Sequence, residues 1–283
     1  MKNPKYTELE NKVIVVTGGG GILCKVLCSS FAKQGAKVAV LDLNEDAANA
    51  TVHSICSEGG TAIAIKANVL EKKSLQDAKK EIHEKFGPCD VLINGAGGNH
   101  PKGTTQKTHF QTGDLTLDKD LITFFKLDQQ GIEFVFNLNF MGTLLPTQVF
   151  AEDMVGREGG TILNISSMNA YRPLTKIPAY SGAKAAISNF TQWLAVHFAP
   201  VGIRVNALAP GFFLTDQNRS LLTVEDGSLT ERGETILAHT PMGRFGEPED
   251  LVGTTLWLTS DQSKFVTGII VPIDGGFSAF SGV

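Results

Sequence analysis

The sequence predicts an α/β fold in which a mostly parallel, seven-stranded sheet is flanked by helices. Short apolar runs rich in β-branched residues recur along the chain, and stretches with helical periodicity separate them. Of the 283 residues, 42% are hydrophobic and 19% are charged, which suits a chain with a sizeable core. Because strands that look apolar throughout are buried on both faces, the alternation favours a doubly wound parallel sheet with right-handed crossovers.

Each apolar run has the length of a typical strand. The predicted strands are 13–16, 38–41, 62–65, 91–93, 161–165, 203–208 and 269–273. The predicted helices are 26–34, 45–57, 74–86, 179–198 and 247–259. No linker rich in proline, glycine or serine interrupts this alternation, so we expect a single domain over residues 1–283.

Two polar stretches, 98–130 and 212–245, interrupt the alternation of strands and helices, and both follow predicted strands. In open α/β sheets, ligands bind beyond the carboxyl ends of the strands. Long segments there are natural walls for a binding pocket. We therefore expect both stretches to border a substrate site.

Charge and cysteine content exclude several classes of partner. The 25 Lys and Arg against 29 Asp and Glu give a net charge of -4, so no basic field attracts nucleic acid or an anionic membrane. The four cysteines form no disulfide framework and have no zinc-site spacing, so we expect no metal. The polar start and the lack of an apolar run of about 18 residues favour a cytoplasmic protein that acts on a small molecule.

The first predicted strand leads into four consecutive glycines, Gly18 to Gly21, and then into a helical pattern. Such a loop lets the backbone approach a pyrophosphate, whose charge lies against the free N–H groups of the helix. Asp42 ends the second predicted strand, where a carboxylate can accept both hydroxyls of an adenosine ribose and would repel a 2′-phosphate. The sequence therefore predicts a Rossmann-type site that prefers NAD to NADP.

Tyr180 and Lys184 lie four residues apart in a predicted helix, so they share one face. A nearby ammonium lowers the pKa of a phenol, which lets the phenolate take a proton from an alcohol. Ser167 follows the strand 161–165, where its hydroxyl can reach the same oxygen. This set predicts acid–base chemistry at an alcohol or a ketone.

Several motifs occur in the order and rough spacing of the short-chain dehydrogenase/reductase family, which the chain resembles over nearly its whole length. They are Thr17-Gly18, Asn94-Gly95-Ala96-Gly97, Tyr180-Ser181-Gly182-Ala183-Lys184 and Pro210-Gly211. The chain also departs from the family pattern. Ile22 and Cys24 stand where TGxxxGxG has glycines, Gly95 replaces the second residue of Asn-Asn-Ala-Gly, and Asn68 replaces the aspartate of Asp-Val.

The resemblance implies a catalytic set of Ser167, Tyr180, Lys184 and Asn139, with Ser166 and Asn137 left open as alternatives. It also implies NAD as the cofactor and assembly as a homotetramer. The implied cofactor contacts are Gly18, Gly20, Gly21, Ile22, Leu23, Asp42, Leu43, Asn68, Val69, Asn94, Gly95, Ala96, Tyr180, Lys184, Pro210, Gly211, Phe213 and Thr215.

The polar stretch 98–130 and the segment 210–219 resemble those of family members that act on sugar acids, in particular D-mannonate oxidoreductases. The expected substrate contacts are Ser167, Asn99, His100, Asn169, Gln217 and Arg219. Arg219 is the expected partner of the substrate carboxylate, with Arg172 and Lys176 as alternatives. A gluconate 5-dehydrogenase-like enzyme, a 3-oxoacyl-thioester reductase and a dinucleotide-sensing scaffold without turnover remain open, although Asp42 argues against the thioester reductase.

Overall fold

A computed structural model describes residues 5–116, 120–214, 222–224 and 226–282, and its centre is a seven-stranded sheet. The strands are β1 (Val13–Thr17), β2 (Lys37–Asp42), β3 (Thr61–Lys66), β4 (Val91–Asn94), β5 (Thr161–Ile165), β6 (Arg204–Pro210) and β7 (Ile270–Ile273). Their order is β3-β2-β1-β4-β5-β6-β7, and all six neighbouring pairs are parallel. The predicted α/β fold is confirmed.

Helices cover both faces of this sheet. They are α1 (Ile22–Lys33), α2 (Glu45–Ser57), α3 (Lys72–Lys85), α4 (Gln129–Phe136), α5 (Gly142–Phe150), α6 (Pro178–Phe198), α7 (Glu231–Ala238) and α8 (Val252–Thr259). Successive β1 side chains alternate between two buried clusters: Ile14 packs with α1 and α8, and Val15 packs with α3, α5 and α6. One strand thus contributes to two cores, which explains its continuously apolar sequence.

Two predicted elements, 45–57 and 161–165, match α2 and β5, and the other predicted strands and helices lie within a few residues of observed ones. Helices α4, α5 and α7 were not predicted. Pro146 inside α5 and the polar composition of α7 hide their periodicity. Side-chain caps nevertheless start two of them: Asp128 accepts the N–H of Gly131 in α4, and Thr230 accepts that of Gly233 in α7.

The chain order places a crevice at the carboxyl ends of β1 and β4. From β1 the chain builds outward through β2 and β3, and from β4 it builds the other way to β7. The loops that follow β1 and β4 therefore lead away from each other. Open α/β sheets bind ligands in the crevice between two such loops. Among the described residues, no helix has the length and apolar character needed to cross a bilayer.

Candidate functional site

A cavity of about 780 Å³ lies over this crevice. It is lined by the loops after β1, β2, β3, β4, β5 and β6, together with residues of α1, α4 and α6. The lining residues are Gly18, Gly21, Ile22, Leu23, Cys24, Asp42, Leu43, Ala67, Asn68, Val69, Leu70, Gly95, Ala96, Gly97, Phe134, Leu138, Ile165, Ser166, Ser167, Tyr180, Pro210, Gly211, Phe212 and Phe213.

The glycine loop forms one end of the cavity. Gly18 has a φ of +64°, and a Cβ there would come within 2.9 Å of the Ala96 backbone, so only glycine fits without strain. Helix α1 then begins with its N-terminus at the cavity, and its first turn contains no acidic residue. Its first N–H groups lack intrahelical acceptors, which suits an anion.

Asp42 borders the same end of the cavity and fixes the loop. Its Oδ2 accepts the N–H of Gly20 at 3.0 Å, and its Oδ1 accepts the N–H of Asn44 at 2.9 Å. The carboxylate thus couples β2 to the glycine loop and leaves lone pairs for a ligand, since each oxygen has two.

Tyr180 and Ser167 lie at the other end of the cavity, and the Ser167 hydroxyl is close enough to the Tyr180 phenol to favour its ionised form. The Ser166 hydroxyl instead contacts the Lys184 carbonyl at 3.1 Å and the Ser188 hydroxyl at 2.7 Å. Of the two serines left open by the sequence, Ser167 is therefore the one that contacts Tyr180. Burial raises the pKa of Tyr180, and the hydrogen bond from Ser167 partly offsets this.

The expected lowering of the Tyr180 pKa is thus wrong for the protein alone, and the position of Lys184 explains why. Its Nζ donates to the Ile165 carbonyl at 2.8 Å and lies 5.6 Å from the centre of the Tyr180 ring. Burial lowers the pKa of Lys184 itself to about 8, because the ammonium is removed from water. Near neutral pH this lysine can gain or lose a proton at little cost.

Replacing Lys184 with methionine is expected to stabilise the fold by about 2 kcal/mol at pH 7. The lowered pKa, about 8 against 10.5, corresponds to a burial cost of roughly 3 kcal/mol, and losing the bond to Ile165 offsets part of the gain. Between pH 8 and pH 10.5 the unfolded chain binds more protons than the folded protein does, so the stability of the wild type rises with pH in this range.

Urea unfolding at several pH values measures this effect. The difference between Lys184→Met and wild type should be largest below pH 8 and should shrink towards pH 10.5. Lys72→Met, at an exposed lysine of α3, is the matched control and should show no such trend. A Lys184→Met protein less stable than wild type at pH 7 would contradict the assigned burial cost.

Asn139 lies in a π-helical turn, Asn137–Met141, that joins α4 to α5. It is fully buried, its Nδ2 donates to the carbonyls of Gly98 and Val135, and its Oδ1 accepts the Gly98 N–H. A Cβ on Gly97 would stand 2.7 Å from Asn139 Oδ1 and 3.2 Å from Lys184 Nζ. Both polar groups therefore lie beside Gly97, as expected of a set that works together.

Other predicted site residues lie apart from the cavity. Asn94 is buried and bonds Thr147 and Asn164, so its amide ties β4 to its neighbours instead of lining the cavity. Asn99 bonds Thr104 and His100 caps a 3₁₀ turn, so both shape their own loop. Three further predicted residues, Thr215, Gln217 and Arg219, lie outside the described residues.

Two remaining predictions give mixed results. Asn169 is buried, its backbone N–H bonds Ser167, and its Oδ1 has no partner among the described residues, but it does not line the cavity. Asn68 lines the cavity, yet its amide bonds Glu71 and the Leu70 N–H. Its contact with an adenine edge stays a prediction.

Sequence reasoning missed several apolar residues of the cavity wall, among them Phe134, Leu138 and Phe212. Two of these come from α4 and the π turn, which no periodic signal predicted. Thr17 was read only as part of a motif, but its Oγ1 accepts the N–H groups of Gly95 and Ala96. It thereby holds the loop after β4 against the loop after β1.

Comparison with known proteins agrees with this geometry. A family model described as Enoyl-(Acyl carrier protein) reductase matches residues 23–278. A solved structure from Haemophilus influenzae with bound NAD, assigned only provisionally as a D-mannonate oxidoreductase, is 56% identical. It covers 97% of this chain and 98% of its own, with a TM-score of 0.93. The chain belongs to the short-chain dehydrogenase/reductase family.

Two other members of the family have named activities. The 7α-hydroxysteroid dehydrogenase of Escherichia coli is 32% identical, and the match covers 98% of each chain. The 5-keto-D-gluconate 5-reductase of Escherichia coli is 30% identical over 95% of this chain and 96% of the relative. The chain is therefore an oxidoreductase of the short-chain dehydrogenase/reductase family.

Two departures from the family pattern, Cys24 and Gly95, compensate for each other. A Cβ on Gly95 would overlap Cys24 Sγ and stand 2.8 Å from the Thr17 carbonyl. The thiol thus fills the space that a side chain at position 95 would need. Burial raises the pKa of Cys24 to about 12, so the thiol stays neutral and acts as packing.

Gly95→Ala is therefore expected to destabilise the protein by about 2 kcal/mol, because the new Cβ overpacks against the thiol. Adding Cys24→Ala should recover about half of this loss, since it removes Sγ but leaves the Thr17 contact. Urea unfolding of both single variants and the double variant gives the coupling energy. Purely additive effects would contradict the compensation.

Proposed function

We propose that this oxidoreductase uses NAD(H) to interconvert a secondary alcohol and a ketone on a sugar acid, with D-mannonate and D-fructuronate as the substrate pair. One observation carries the reaction class: Tyr180, with Ser167 beside it, lines a cavity whose opposite end is the N-terminus of α1, which suits an anion. Lys184 and Asn139 lie behind it around Gly97. A proton-transfer group and a site suited to a pyrophosphate thus share one cavity.

The residues present fit NAD. The α1 terminus would hold the pyrophosphate, Asp42 the adenosine ribose, and Gly95, Pro210 and Gly211 would border the nicotinamide end. When bound, NAD supplies the hydride acceptor, and its nicotinamide carries a positive charge. We infer a preference for NAD over NADP because the Asp42 carboxylate would repel a 2′-phosphate.

The side chains divide the remaining work. Tyr180 takes the proton from the substrate hydroxyl in oxidation and returns it in reduction. Ser167 donates a hydrogen bond to the developing carbonyl oxygen. Lys184, whose pKa of about 8 keeps it close to its titration point, accepts and releases the proton beside Asn139. A hydrogen bond from Ser167 favours the phenolate once it forms.

Relatives support a sugar acid as the substrate. The Haemophilus influenzae structure has a mannonate assignment, although a provisional one, and the 5-keto-D-gluconate reductase also acts on a keto acid of a sugar. The steroid dehydrogenase shows that similar chains accept other alcohols. The gluconate-type activity is therefore the second candidate.

A panel of ketones tests the substrate. We expect NADH oxidation, followed at 340 nm, to be fastest with D-fructuronate and slower with 5-keto-D-gluconate and an acetoacetyl thioester. NADPH in place of NADH is the cofactor control and should support little turnover. Faster turnover with either of the other two ketones would make that ketone the assigned substrate and would leave the proposed catalytic residues unchanged.

We also propose that the protein assembles as a homotetramer. Trp193 and Val196 on α6 are 56% and 78% exposed, and Phe265 before β7 is fully exposed. Apolar side chains of this size on one chain suit burial against other copies. Light scattering after gel filtration measures the mass, and a monomer would contradict this proposal.

A further inference from the structure

A second cavity, of about 470 Å³, adjoins the cofactor cavity. Phe212 lines both, so the two spaces are neighbours. Residues from both polar stretches of the sequence wall it: Thr108 from one, and Phe212 with part of α7 from the other. Phe212 follows Pro210 and Gly211 on the wall of the cofactor cavity, so the second cavity borders the end where we place the nicotinamide.

The lining of this cavity is cationic. Lys176 and Arg232 contribute two positive charges, and Glu231 contributes one negative charge. Neither cation forms an ion pair with any part of the chain that the structure describes. Cations that have no ion-pair partner among the described residues suit an anionic group on a ligand.

The backbone at Lys176 is held in an unusual conformation. Its φ is +74°, a left-handed value that costs a residue with a side chain free energy unless its surroundings impose it. The Lys176 carbonyl accepts the N–H of Thr105 at 2.8 Å, which ties this loop to the stretch 98–130. Lys176 precedes Tyr180 by four residues, so this conformation sets where the cation stands relative to the reacting group.

Neutral groups beside the cations can bind hydroxyls. Thr175 and Thr235 line the cavity with Thr108, and so does His239, whose Nδ1 contacts the Thr235 carbonyl at 2.7 Å. This bond fixes the ring and leaves Nε2 for another partner. Two cations with several hydroxyls and an imidazole match a polyhydroxylated carboxylate.

We propose that Lys176 and Arg232 bind the carboxylate of the sugar-acid substrate in this second cavity and so select acids over neutral sugars. The inference rests on the proposed function, since it concerns the same reaction. Lys176 and Arg232 take the place of Arg172 as the expected carboxylate partners. Arg172 does not line the cavity, and its Nε donates to the Ser278 carbonyl at 3.2 Å. Arg219, the residue expected from the sequence, lies outside the described residues.

The test compares D-fructuronate with its methyl ester, which keeps the carbon chain and loses the charge. The variants are Lys176→Met and Arg232→Met, and Arg172→Met is the matched control from the same loop. Steady-state kcat and KM are measured with NADH for both substrates. Thermal melts check that each variant is folded.

We expect wild type to prefer the acid. Each cavity variant should raise KM for the acid about 10- to 100-fold, with little change in kcat or in the ester kinetics, because only the charge-assisted contact is lost. Arg172→Met should keep the preference for the acid. The inference would be overturned if both cavity variants kept the wild-type ratio of kcat/KM for the acid over the ester, whether activity is retained on both substrates or lost equally on both.

Failure of the proposed function looks different. A wild-type enzyme that reduces no sugar keto acid would overturn the proposed function and this inference with it. A wild-type enzyme active on D-fructuronate, whose preference survives both substitutions, would overturn the inference alone.

Discussion

Tyr180→Phe is expected to lower kcat/KM about 1000-fold in both directions of the reaction, because it removes the one oxygen that exchanges a proton with the substrate. The Tyr180 ring is half-buried at the cavity wall and packs against Val135, Ala179 and Ala183, so it should keep its packing without the hydroxyl. Binding of NADH, followed by its fluorescence, should stay close to wild type. The loss should therefore appear in turnover and not in cofactor affinity.

Ser166→Ala is the matched control for this prediction. Its hydroxyl contacts Ser188 and the Lys184 carbonyl and not Tyr180, so we expect a small loss of activity. Ser167→Ala should instead lower kcat/KM about 100-fold, as removal of a hydrogen-bond donor to a developing charge does. Near-normal turnover in Tyr180→Phe would contradict the whole catalytic assignment.

Asp42→Asn is expected to shift the ratio of kcat/KM for NADPH over NADH upward by about 10- to 100-fold. The substitution removes a negative charge that would face a 2′-phosphate, and the remaining amide oxygen can still accept the Gly20 or the Asn44 N–H. Activity with NADH should fall, because a neutral amide accepts ribose hydroxyls less strongly than a carboxylate does.

Asp46→Asn is the control for charge alone. Asp46 lies in the first turn of α2, is exposed, and is four residues from Asp42 in the chain, but it does not line the cavity. Its removal should leave the cofactor ratio unchanged. If Asp42→Asn and Asp46→Asn shifted the ratio of kcat/KM for NADPH over NADH equally, the overall negative charge of this surface, and not contact with Asp42, would set the cofactor preference.

The fold was predictable from sequence because burial imposes a strong pattern. The inner strands β1 and β4 are buried at every residue, and each is an apolar run up to its last residue, Thr17 or Asn94. The helices without such a pattern were missed. Pro146 and the π turn at Asn137–Met141 interrupt the periodicity of α4 and α5, and hydrogen bonds and not apolar spacing fix that turn.

The candidate site was predictable where spacing along one element fixes geometry. Tyr180 and Lys184 share a helix face, and Ser167 follows a strand that ends beside it, so the structure brings the three together. The orientation of Asn94 was not predictable, because its inward turn depends on Thr147 and Asn164 far along the chain. The pKa of Tyr180 depends on burial, which sequence spacing does not report.

The residues of the second cavity could not be predicted from sequence, because lining a cavity depends on which loops meet. Arg219, expected to bind the carboxylate, lies outside the described residues and stays a prediction. Thr105 holds Lys176 in a left-handed conformation, and α7 brings Arg232 to the same space. No motif connects these residues.

The decisive measurement is oxidation of D-mannonate by the wild-type enzyme with NAD, followed as NADH absorbance at 340 nm with the product identified. We expect NADH to appear together with an equal amount of D-fructuronate, and we expect NADP to support little reaction. No NADH from D-mannonate, with rapid NADH from a neutral polyol or a steroid alcohol, would contradict the proposed function.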